Sequence, residues 1–308
     1  MTRLAILGFG LIGGSIARAL AASQGSWEVA AWSRSPDGPA AAAADGLATA
    51  AGTPEDAIAA ADLVVLAASP QANLELVDRV GPLLAARGIA LTDVSSVQVP
   101  IAAAAGRVAG LRFCGGHPMA GIERRGYAAS TPDLFAGRPW VVLPGPAATE
   151  GDVDGVRALA TSCGARPVLL DPATHDRLVA AISHLPMVVS AALAETVVGT
   201  DAWEAAAPLS AGGWRDTTRL ARGNAELASG IATLNRMELL GWLDRFAGVV
   251  ATWRDMLAEA DGPDTATLAA RLGVLRTALE RGASARADAS SQPGLPGDPR
   301  PPGVSAGG

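Results

Sequence analysis

The chain has three histidines, and none of them lies in a routine solvated segment. His117 follows Gly115 and Gly116 at the carboxyl end of a predicted strand over 111–114. In open α/β sheets ligands bind beside the carboxyl ends of the strands, and glycines let a bound ring approach the backbone. An unperturbed imidazole has a pKa of about 6.5 and can take a proton at neutral pH. We therefore predict a general base at His117; the alternative is a core histidine bonded to a carbonyl.

Serines and arginines supply the other polar groups of the predicted site. Ser95 and Ser96 end the neighbouring predicted strand, where one could orient the histidine base and the other could cap the next helix. Arg215 and Arg219 lie in a polar segment between apolar helices, and arginine binds carboxylates through paired hydrogen bonds. Either arginine would suit a small dianionic substrate, although Asp216 could simply neutralise Arg215. No metal site is predicted, because the histidines are not spaced as ligands.

The element that must position a cofactor beside these groups is the amino terminus. An apolar run over 3–7 leads into the glycine-rich turn 8–15, an apolar helix and a second strand over 27–32. In this context a G-x-G-x-x-G pattern indicates dinucleotide binding, with the phosphates at the amino end of the helix. The predicted cofactor-binding residues are Gly8, Phe9, Gly10, Leu11, Ile12, Gly13, Ser33, Arg34 and Ser69.

The residues after the second strand bear on which dinucleotide binds. An acidic residue at this place usually accepts hydrogen bonds from the ribose 2′-hydroxyl of NAD. Here Ser33 and Arg34 stand there instead, and a hydroxyl with a guanidinium would hold a 2′-phosphate. The sequence therefore favours NADP over NAD. The alternative is a solvated Arg34, with Asp37 taking the place of the acid.

Composition limits the classes of protein. The 308 residues are 49% hydrophobic with a net charge of −6, which argues against nucleic acid or an anionic membrane as the main partner. The chain contains no lysine, so Schiff-base chemistry and the hydroxyacid dehydrogenases with a catalytic lysine are excluded. Cys114 and Cys163 are expected to be buried, the apolar stretch 178–198 to be a buried helix, and the protein to be cytoplasmic.

The order of elements predicts an α/β fold with two domains. Strands alternate with helices as far as residue 171, which predicts a Rossmann-type, doubly wound sheet over 1–171. Helical patterns then follow one another, so 172–281 is predicted to be an all-helical substrate and dimerisation domain. Its apolar content is high for an isolated lobe, and we expect a second subunit to cover part of it. The segment 282–308 lacks periodicity and is predicted to be a disordered tail.

Six segments occur in an order that resembles the prephenate/arogenate (cyclohexadienyl) dehydrogenase family of tyrosine biosynthesis. They are Gly8–Ser15, Asp93–Val97, Gly116–Gly121, His175-Asp176, Ser183–Pro186 and Arg215–Arg219. The resemblance covers roughly residues 1–281.

The resemblance implies a mechanism and roles for particular residues. His117 would take the proton of a ring hydroxyl while hydride leaves the same carbon for the nicotinamide and the ring carboxylate departs as carbon dioxide. Ser96 matches the serine that orients this histidine, and Arg219 the arginine that binds substrate carboxylate. Ser183 and His184 match the cleft-lining S-H-L-P segment, and His175 a position near the junction of cofactor and substrate. The helical domain would form a homodimer.

Three departures from the family pattern qualify the resemblance. Met187 stands where many members have a second histidine, which leaves prephenate and arogenate both open as substrates. Ser95 replaces a common glycine and Gln98 a common lysine. The runner-up functions are a related reductase or dehydrogenase acting on an imine or amino-substituted dienyl acid, and a non-catalytic dinucleotide-sensing protein.

Overall fold

A computed structural model describes residues 1–122, 124–258, 262 and 264–291. The chain divides into two compact units, Met1–Ala251 and Thr252–Gly308. The division into compact units does not test the predicted boundary after residue 171, because that boundary separates domains with different predicted roles. It stays a prediction.

The first unit is built on a parallel five-stranded sheet. Its strands, in the spatial order β3-β2-β1-β4-β5, are β1 (Thr2–Leu7), β2 (Trp27–Trp32), β3 (Thr49–Ala50), β4 (Leu63–Leu66) and β5 (Ala90–Asp93). Both neighbours of β1 run parallel to it, and the carboxyl ends of β1, β4 and β5 therefore meet at one edge of the sheet. The predicted Rossmann-type sheet is confirmed.

Helices cover both faces of this sheet because each central strand sends alternate side chains to opposite sides. The helices are α1 (Leu11–Ala22), α2 (Asp37–Ala44), α3 (Pro54–Ile58), α4 (Pro70–Arg87) and α5 (Val99–Gly106). Ile6 of β1 packs in the core that α1 completes, whereas Leu7 packs in the core formed with α3, α4 and α5. The central strands β1 and β4 therefore lie between two apolar layers, which explains the apolar runs in their sequences.

A second sheet carries the predicted base. It consists of β6 (Cys114–Pro118), β7 (Pro139–Pro144) and β8 (Arg166–Leu169), with α6 (Glu150–Ser162) joining the last two. β6 is antiparallel to β7, and a bridge between Leu91 and Phe113 ties its start to β5. The sequence prediction ended this strand before His117, but His117 lies inside β6, because only glycine at 116 lets the strand pass the end of β5. A Cβ atom at Gly116 would lie 2.8 Å from the Asp93 carbonyl oxygen.

The rest of the described chain is helical, as predicted. The helices are α7 (Pro172–Val179), α8 (Leu185–Val198), α9 (Ala202–Ala206), α10 (Gly212–Thr217), α11 (Ala225–Leu234), α12 (Arg236–Leu257) and α13 (Thr265–Ser291). A π-helical turn, Ala180–His184, joins α7 to α8, so one predicted helix contains a local change of register. Pro186 has no N–H to donate to the carbonyl four residues earlier, which favours such a change here.

The helix from Pro172 to Val198 is apolar and poorly covered. By length and composition it could cross a membrane, and 22% of its most apolar window is buried. Within α8 only Ser190 is buried, and Ile182 in the preceding turn is 69% exposed. The expectation of a buried helix is therefore wrong for a single chain. Both cysteines are buried as predicted.

The last described helix differs from the prediction of a disordered tail. α13 continues to Ser291, which is inside the segment 282–308. Four of the ten residues 282–291 are alanine, and alanine favours a helix even where no apolar face repeats. Residues 292–308 of the predicted tail lie outside the described residues.

Candidate active site

The glycine turn between β1 and α1 fits a dinucleotide. Gly8 has a φ of 101°, and a Cβ atom there would lie 2.3 Å from the Ala68 nitrogen, so no other residue fits without strain. A Cβ at Gly13 would lie 2.4 Å from the Gly8 carbonyl oxygen, where helix and turn pack closely. Nothing lies within 4 Å of the same atom built on Gly10, so the backbone is open at the amino end of α1. The N–H groups that begin a helix bind phosphate oxygens at such a place.

Some of the other predicted cofactor-binding residues are buried in the core, and others are partly accessible. Phe9 is 3% exposed, and its ring stacks on Tyr127 with centroids 5.8 Å apart. Its side chain is therefore a core contact, and only its backbone is open to a cofactor role. Leu11 and Ile12 are half-buried at the start of α1. Ser69 precedes α4 and its side chain makes no capping hydrogen bond.

Two buried polar side chains tie together the strand ends beside this turn. Asn73, which is fully buried, accepts a hydrogen bond from the Ala68 N–H (3.1 Å) and donates one to the Ser95 hydroxyl (2.9 Å). Gln98, also fully buried, donates from Nε2 to the Asp93 carboxylate, the Ser95 carbonyl and the Gly116 carbonyl. The end of β5 is thereby fixed to β4 on one side and to β6 on the other.

Asp93 is a buried carboxyl group that has only neutral partners. It accepts hydrogen bonds from the backbone N–H of Ser95 (3.0 Å) and of Gly116 (3.2 Å), besides those from Gln98. Burial raises its pKa to about 6, although these donors oppose the shift. A lysine in place of Gln98 would supply a positive charge here, so this departure from the family pattern has an electrostatic consequence.

The three histidines form one buried cluster. His117 Nδ1 lies 2.7 Å from His175 Nε2, and His175 Nδ1 lies 2.7 Å from Asp176 Oδ1. Asp176 also accepts hydrogen bonds from the backbone N–H of Gln98 and of Val99, both at 2.8 Å, at the start of α5. The helix dipole of α5 adds to these donors in stabilising the negative charge of Asp176.

These contacts determine the position of each proton when Asp176 is ionised and both rings are neutral. An ionised carboxylate only accepts, so a neutral His175 then carries its proton on Nδ1 and has its lone pair on Nε2. The neighbouring ring must then donate from Nδ1, and the lone pair of His117 is left on Nε2. Burial, assisted by the nearby His175 and His184, lowers the pKa of His117 to about 3, which keeps this ring neutral. Nε2 of His117 makes no hydrogen bond to any described residue and is not fully buried. It is therefore ready to accept a proton.

His184 joins the cluster from the π-helical turn. Its Nδ1 lies 3.0 Å from the side-chain nitrogen of Asn235, which also donates to the Asp176 carbonyl oxygen at 2.9 Å. Burial lowers the pKa of His184 to about 4, although the negative charge of Asp176 acts in the opposite direction. Among the described residues, its Nε2 has no hydrogen-bond partner.

Comparison with known proteins identifies the family. The profile of the prephenate dehydrogenase nucleotide-binding domain matches residues 16–169, and that of the prephenate dehydrogenase dimerization domain matches 171–271. The chain belongs to the prephenate dehydrogenase family.

Individual relatives agree with this assignment. The chain is 30% identical to cyclohexadienyl dehydrogenase of Zymomonas mobilis over 84% of its own length and 89% of the relative. A solved structure from Corynebacterium glutamicum, provisionally named a prephenate dehydrogenase, is 31% identical with a TM-score of 0.81, covering 97% of this chain and 94% of that one. Arogenate dehydrogenase of Synechocystis is 28% identical, covers 90% and 100%, and has a TM-score of 0.72. The chain spans 54% of the length of prephenate dehydrogenase from Bacillus subtilis, to which it is 27% identical over 64% of its own length.

His175 and Ser96 are two of the residues predicted from the family resemblance. His175 is 1% exposed and its ring nitrogens contact His117 and Asp176, so a role for it at the substrate stays a prediction. Ser96 is half-buried and makes no hydrogen bond to His117, whose Nδ1 is occupied by His175. Neither Ser95 nor Ser96 caps α5, because Asp176 does so from α7. A direct contact between Ser96 and a ligand stays a prediction.

The remaining predicted substrate-binding residues are exposed. Ser183 is exposed on the π-helical turn, next to His184. Arg215 is exposed on α10 and forms no ion pair with Asp216 in the described structure. Arg219 is exposed in a 3-10 turn, Arg219–Arg222, that packs on α8.

Near the cofactor turn, Ser33 is half-buried and Arg34 exposed at the carboxyl end of β2. Within the described residues Arg34 forms no ion pair. Asp37, the alternative acid, begins α2 and accepts a hydrogen bond from the Ser35 hydroxyl (2.9 Å).

Sequence reasoning missed the roles of Asn73, Asp93, Gln98, Asp176 and Asn235. Each is a polar residue that is almost fully buried. A polar side chain at a core position of a predicted helix or strand is the only sequence signal that could have found them.

Proposed function

We propose that this protein is an NAD(P)-dependent dehydrogenase that oxidatively decarboxylates prephenate or arogenate, as an enzyme of tyrosine biosynthesis. The observation that carries the proposal is the chain of hydrogen bonds from Asp176 through His175 to His117. It leaves a neutral imidazole with a free lone pair on Nε2, as a general base for a ring hydroxyl requires. The relatives named prephenate, arogenate and cyclohexadienyl dehydrogenase support the same chemistry.

A nicotinamide dinucleotide, when bound, supplies the acceptor for the hydride of the substrate. In this proposal the backbone of Gly8 to Gly13 and the amino end of α1 hold its pyrophosphate. His117 accepts the hydroxyl proton as hydride leaves the same carbon, and the ring carboxylate departs as carbon dioxide, so that the ring becomes aromatic. The positive charge that forms on His117 is stabilised through His175 by the negative charge of Asp176.

The basicity of His117 fits a concerted step. With a pKa of about 3 in the free protein, His117 does not hold a proton at neutral pH, and it can accept the hydroxyl proton because that hydroxyl becomes a much stronger acid as hydride leaves its carbon. Arg219 is proposed to bind a substrate carboxylate, with Ser183 and Arg215 as further candidates at the substrate.

We propose NADP as the preferred cofactor, with NAD as the alternative. Support comes from Ser33 and Arg34 at the end of β2, where no carboxylate precedes α2. Arg34 has no described ion-pair partner that would compete for a 2′-phosphate. The carboxylate of Asp37 is the nearest alternative, and its hydrogen bond to Ser35 does not decide between the two cofactors.

We also propose a homodimer in which a second copy covers the exposed apolar side chains of the helical region. Leu178, Ile182, Val198, Leu240 and Phe246 are 37–69% exposed, which is unusual for large apolar side chains in a monomer. The match to a dimerization domain over 171–271 supports this proposal. A cytoplasmic dimer would remove the apolar helix Pro172–Val198 from water without a membrane. The molar mass in solution, measured by light scattering, tests it.

Steady-state kinetics with prephenate and arogenate, each with NAD and NADP, test the proposed activity directly. Replacing His117 by Asn should lower kcat about a hundredfold to ten-thousandfold, because that is the typical contribution of a general base. Cofactor affinity, measured by fluorescence titration, should stay within about threefold, because His117 is not part of the glycine turn. Turnover by this variant at the wild-type rate would eliminate His117 as the base.

A further inference from the structure

Asn235 lies between α11 and α12, at a break in the helical region. Its backbone N–H donates to the Ile231 carbonyl, and its own carbonyl accepts from the Leu239 N–H, so it is held by both helices. Its side chain is 4% exposed. The break in the helix at this point directs a buried amide at the histidine cluster.

The two contacts of this amide determine its orientation without any assumption about hydrogen positions. One end of the amide lies 2.9 Å from the backbone carbonyl oxygen of Asp176, which can only accept a hydrogen bond. That end must therefore be the NH₂ group. The same nitrogen lies 3.0 Å from Nδ1 of His184, which must then be an acceptor as well. The proton of neutral His184 is accordingly on Nε2.

The Nε2–H group of His184 is a hydrogen-bond donor without an acceptor among the described residues. It is buried and has no partner among the described residues, and a buried N–H without an acceptor is costly. His184 lies close enough to His117 to influence its pKa. It follows Ser183, an exposed residue of the same turn. A neutral donor at this position can bind an anionic oxygen without placing a positive charge beside the base.

We propose that Asn235 is a positioning residue that holds His184 as a neutral Nε2–H donor, and that this N–H binds an oxygen of the dienyl acid, a carboxylate or keto oxygen. The inference rests on the proposed function for the identity of the ligand. It does not rest on it for the proton position, which the Asn235 and Asp176 contacts establish by themselves. Asn235 touches no reacting atom and acts through His184.

The proton position can be read from the wild-type protein. Because the chain has three histidines, long-range ¹H–¹⁵N correlation spectra of ¹⁵N-histidine-labelled protein at pH 7 contain three imidazole patterns, assigned by His→Gln variants. We expect His184 to be protonated on Nε2, and His117 and His175 on Nδ1. A proton on Nδ1 of His184, or an imidazolium, would overturn the proposal. Addition of prephenate or arogenate without cofactor should move the Nε2–H resonance of His184 downfield; an unmoved resonance at saturating ligand would refute the ligand contact.

Variants separate positioning from mere packing. His184→Gln keeps an N–H near the place of Nε2 and should retain KM within about threefold, whereas His184→Asn should raise it about 10- to 100-fold, the usual effect of losing a hydrogen bond to a charged group. Asn235→Asp should move the His184 proton to Nδ1 and raise KM similarly, with kcat less affected. Asn224→Asp is the matched control, because Asn224 is an exposed cap of α11 whose acceptor oxygen is retained.

The results distinguish this inference from the proposed function. If neither dienyl acid is turned over by the wild-type protein, the proposed function fails, while the imidazole spectra still decide the role of Asn235. If both are turned over but His184→Gln and His184→Asn are equally impaired, the donor role of Nε2 is refuted. Should Asn235→Asp not fold, the wild-type spectra and the His184 pair decide the question.

Discussion

Asp176→Asn removes the negative charge that the proposed mechanism uses to stabilise protonated His117. The carboxylate lies two hydrogen bonds of 2.7 Å away, one on each side of the His175 ring. Across that ring the charge separation is about 7 Å, and at an effective dielectric constant of about 20 the attraction is about 2.4 kcal/mol. Without it, kcat should fall about 50-fold.

A larger loss is expected if the amide turns its NH₂ group toward His175. His175 would then be protonated on Nε2, and the lone pair of His117 would move to Nδ1, away from the substrate. An equivalent change of tautomer in serine protease triads lowers kcat about 10⁴-fold. The expected range is therefore from about 50-fold to about 10⁴-fold, with substrate KM much less affected because Asp176 is buried.

The assay is kcat under saturating substrate and cofactor, accompanied by urea unfolding to check the fold. Some loss of stability is expected, because Asp176 also accepts the N–H groups of Gln98 and Val99 at the start of α5. His175→Gln interrupts the same chain while leaving that cap in place, and it should lower kcat comparably. Asp171→Asn, an exposed cap of α7, is the matched control. A folded Asp176→Asn protein with kcat within threefold of wild type would show that the charge of Asp176 does not reach the base.

Two further predictions concern cofactor choice and pH. Arg34→Ala should raise KM for NADP about 10- to 100-fold through loss of hydrogen bonds to a 2′-phosphate, and it should leave KM for NAD unchanged. Arg107→Ala, at an exposed arginine, is its control. Equal effects on KM for both cofactors would show that Arg34 is a solvated residue without a role in cofactor choice. The folded protein should lose stability as pH falls below about 6.5, because burial depresses the pKa of His117 and His184 to about 3 and 4 and the unfolded chain then binds more protons. Asp93, whose pKa is raised to about 6 in the folded state, takes up a proton there at a higher pH than in the unfolded chain. This proton offsets one of the two that the unfolded chain gains at His117 and His184. The free energy of unfolding should therefore fall by about 1.4 kcal/mol per pH unit between pH 6 and 4.5. Urea unfolding at several pH values measures it, and a free energy of unfolding that stays constant or rises on acidification would contradict the assignment of two buried neutral imidazoles.

Local sequence determined the cofactor half of this protein. The turn at Gly8 needs a positive φ, and Gly13 needs to lie against a backbone carbonyl, so glycine at these two positions indicates the local geometry. The strand β2 has the bounds predicted from the sequence, 27–32. The order of short polar segments was enough to indicate the family, which the family profiles confirm.

Only the tertiary structure decided which residues of the site are hydrogen-bonded to each other. His117 and His175 are 58 residues apart, and Gln98 and Asp176 are 78 apart, so no periodicity relates them. Sequence patterns describe which face of an element is apolar, whereas a proton position depends on which donor and acceptor the fold brings within 3 Å. For that reason the sequence did not indicate that His175 contacts His117, or that the partner of His184 is an asparagine at a helix break.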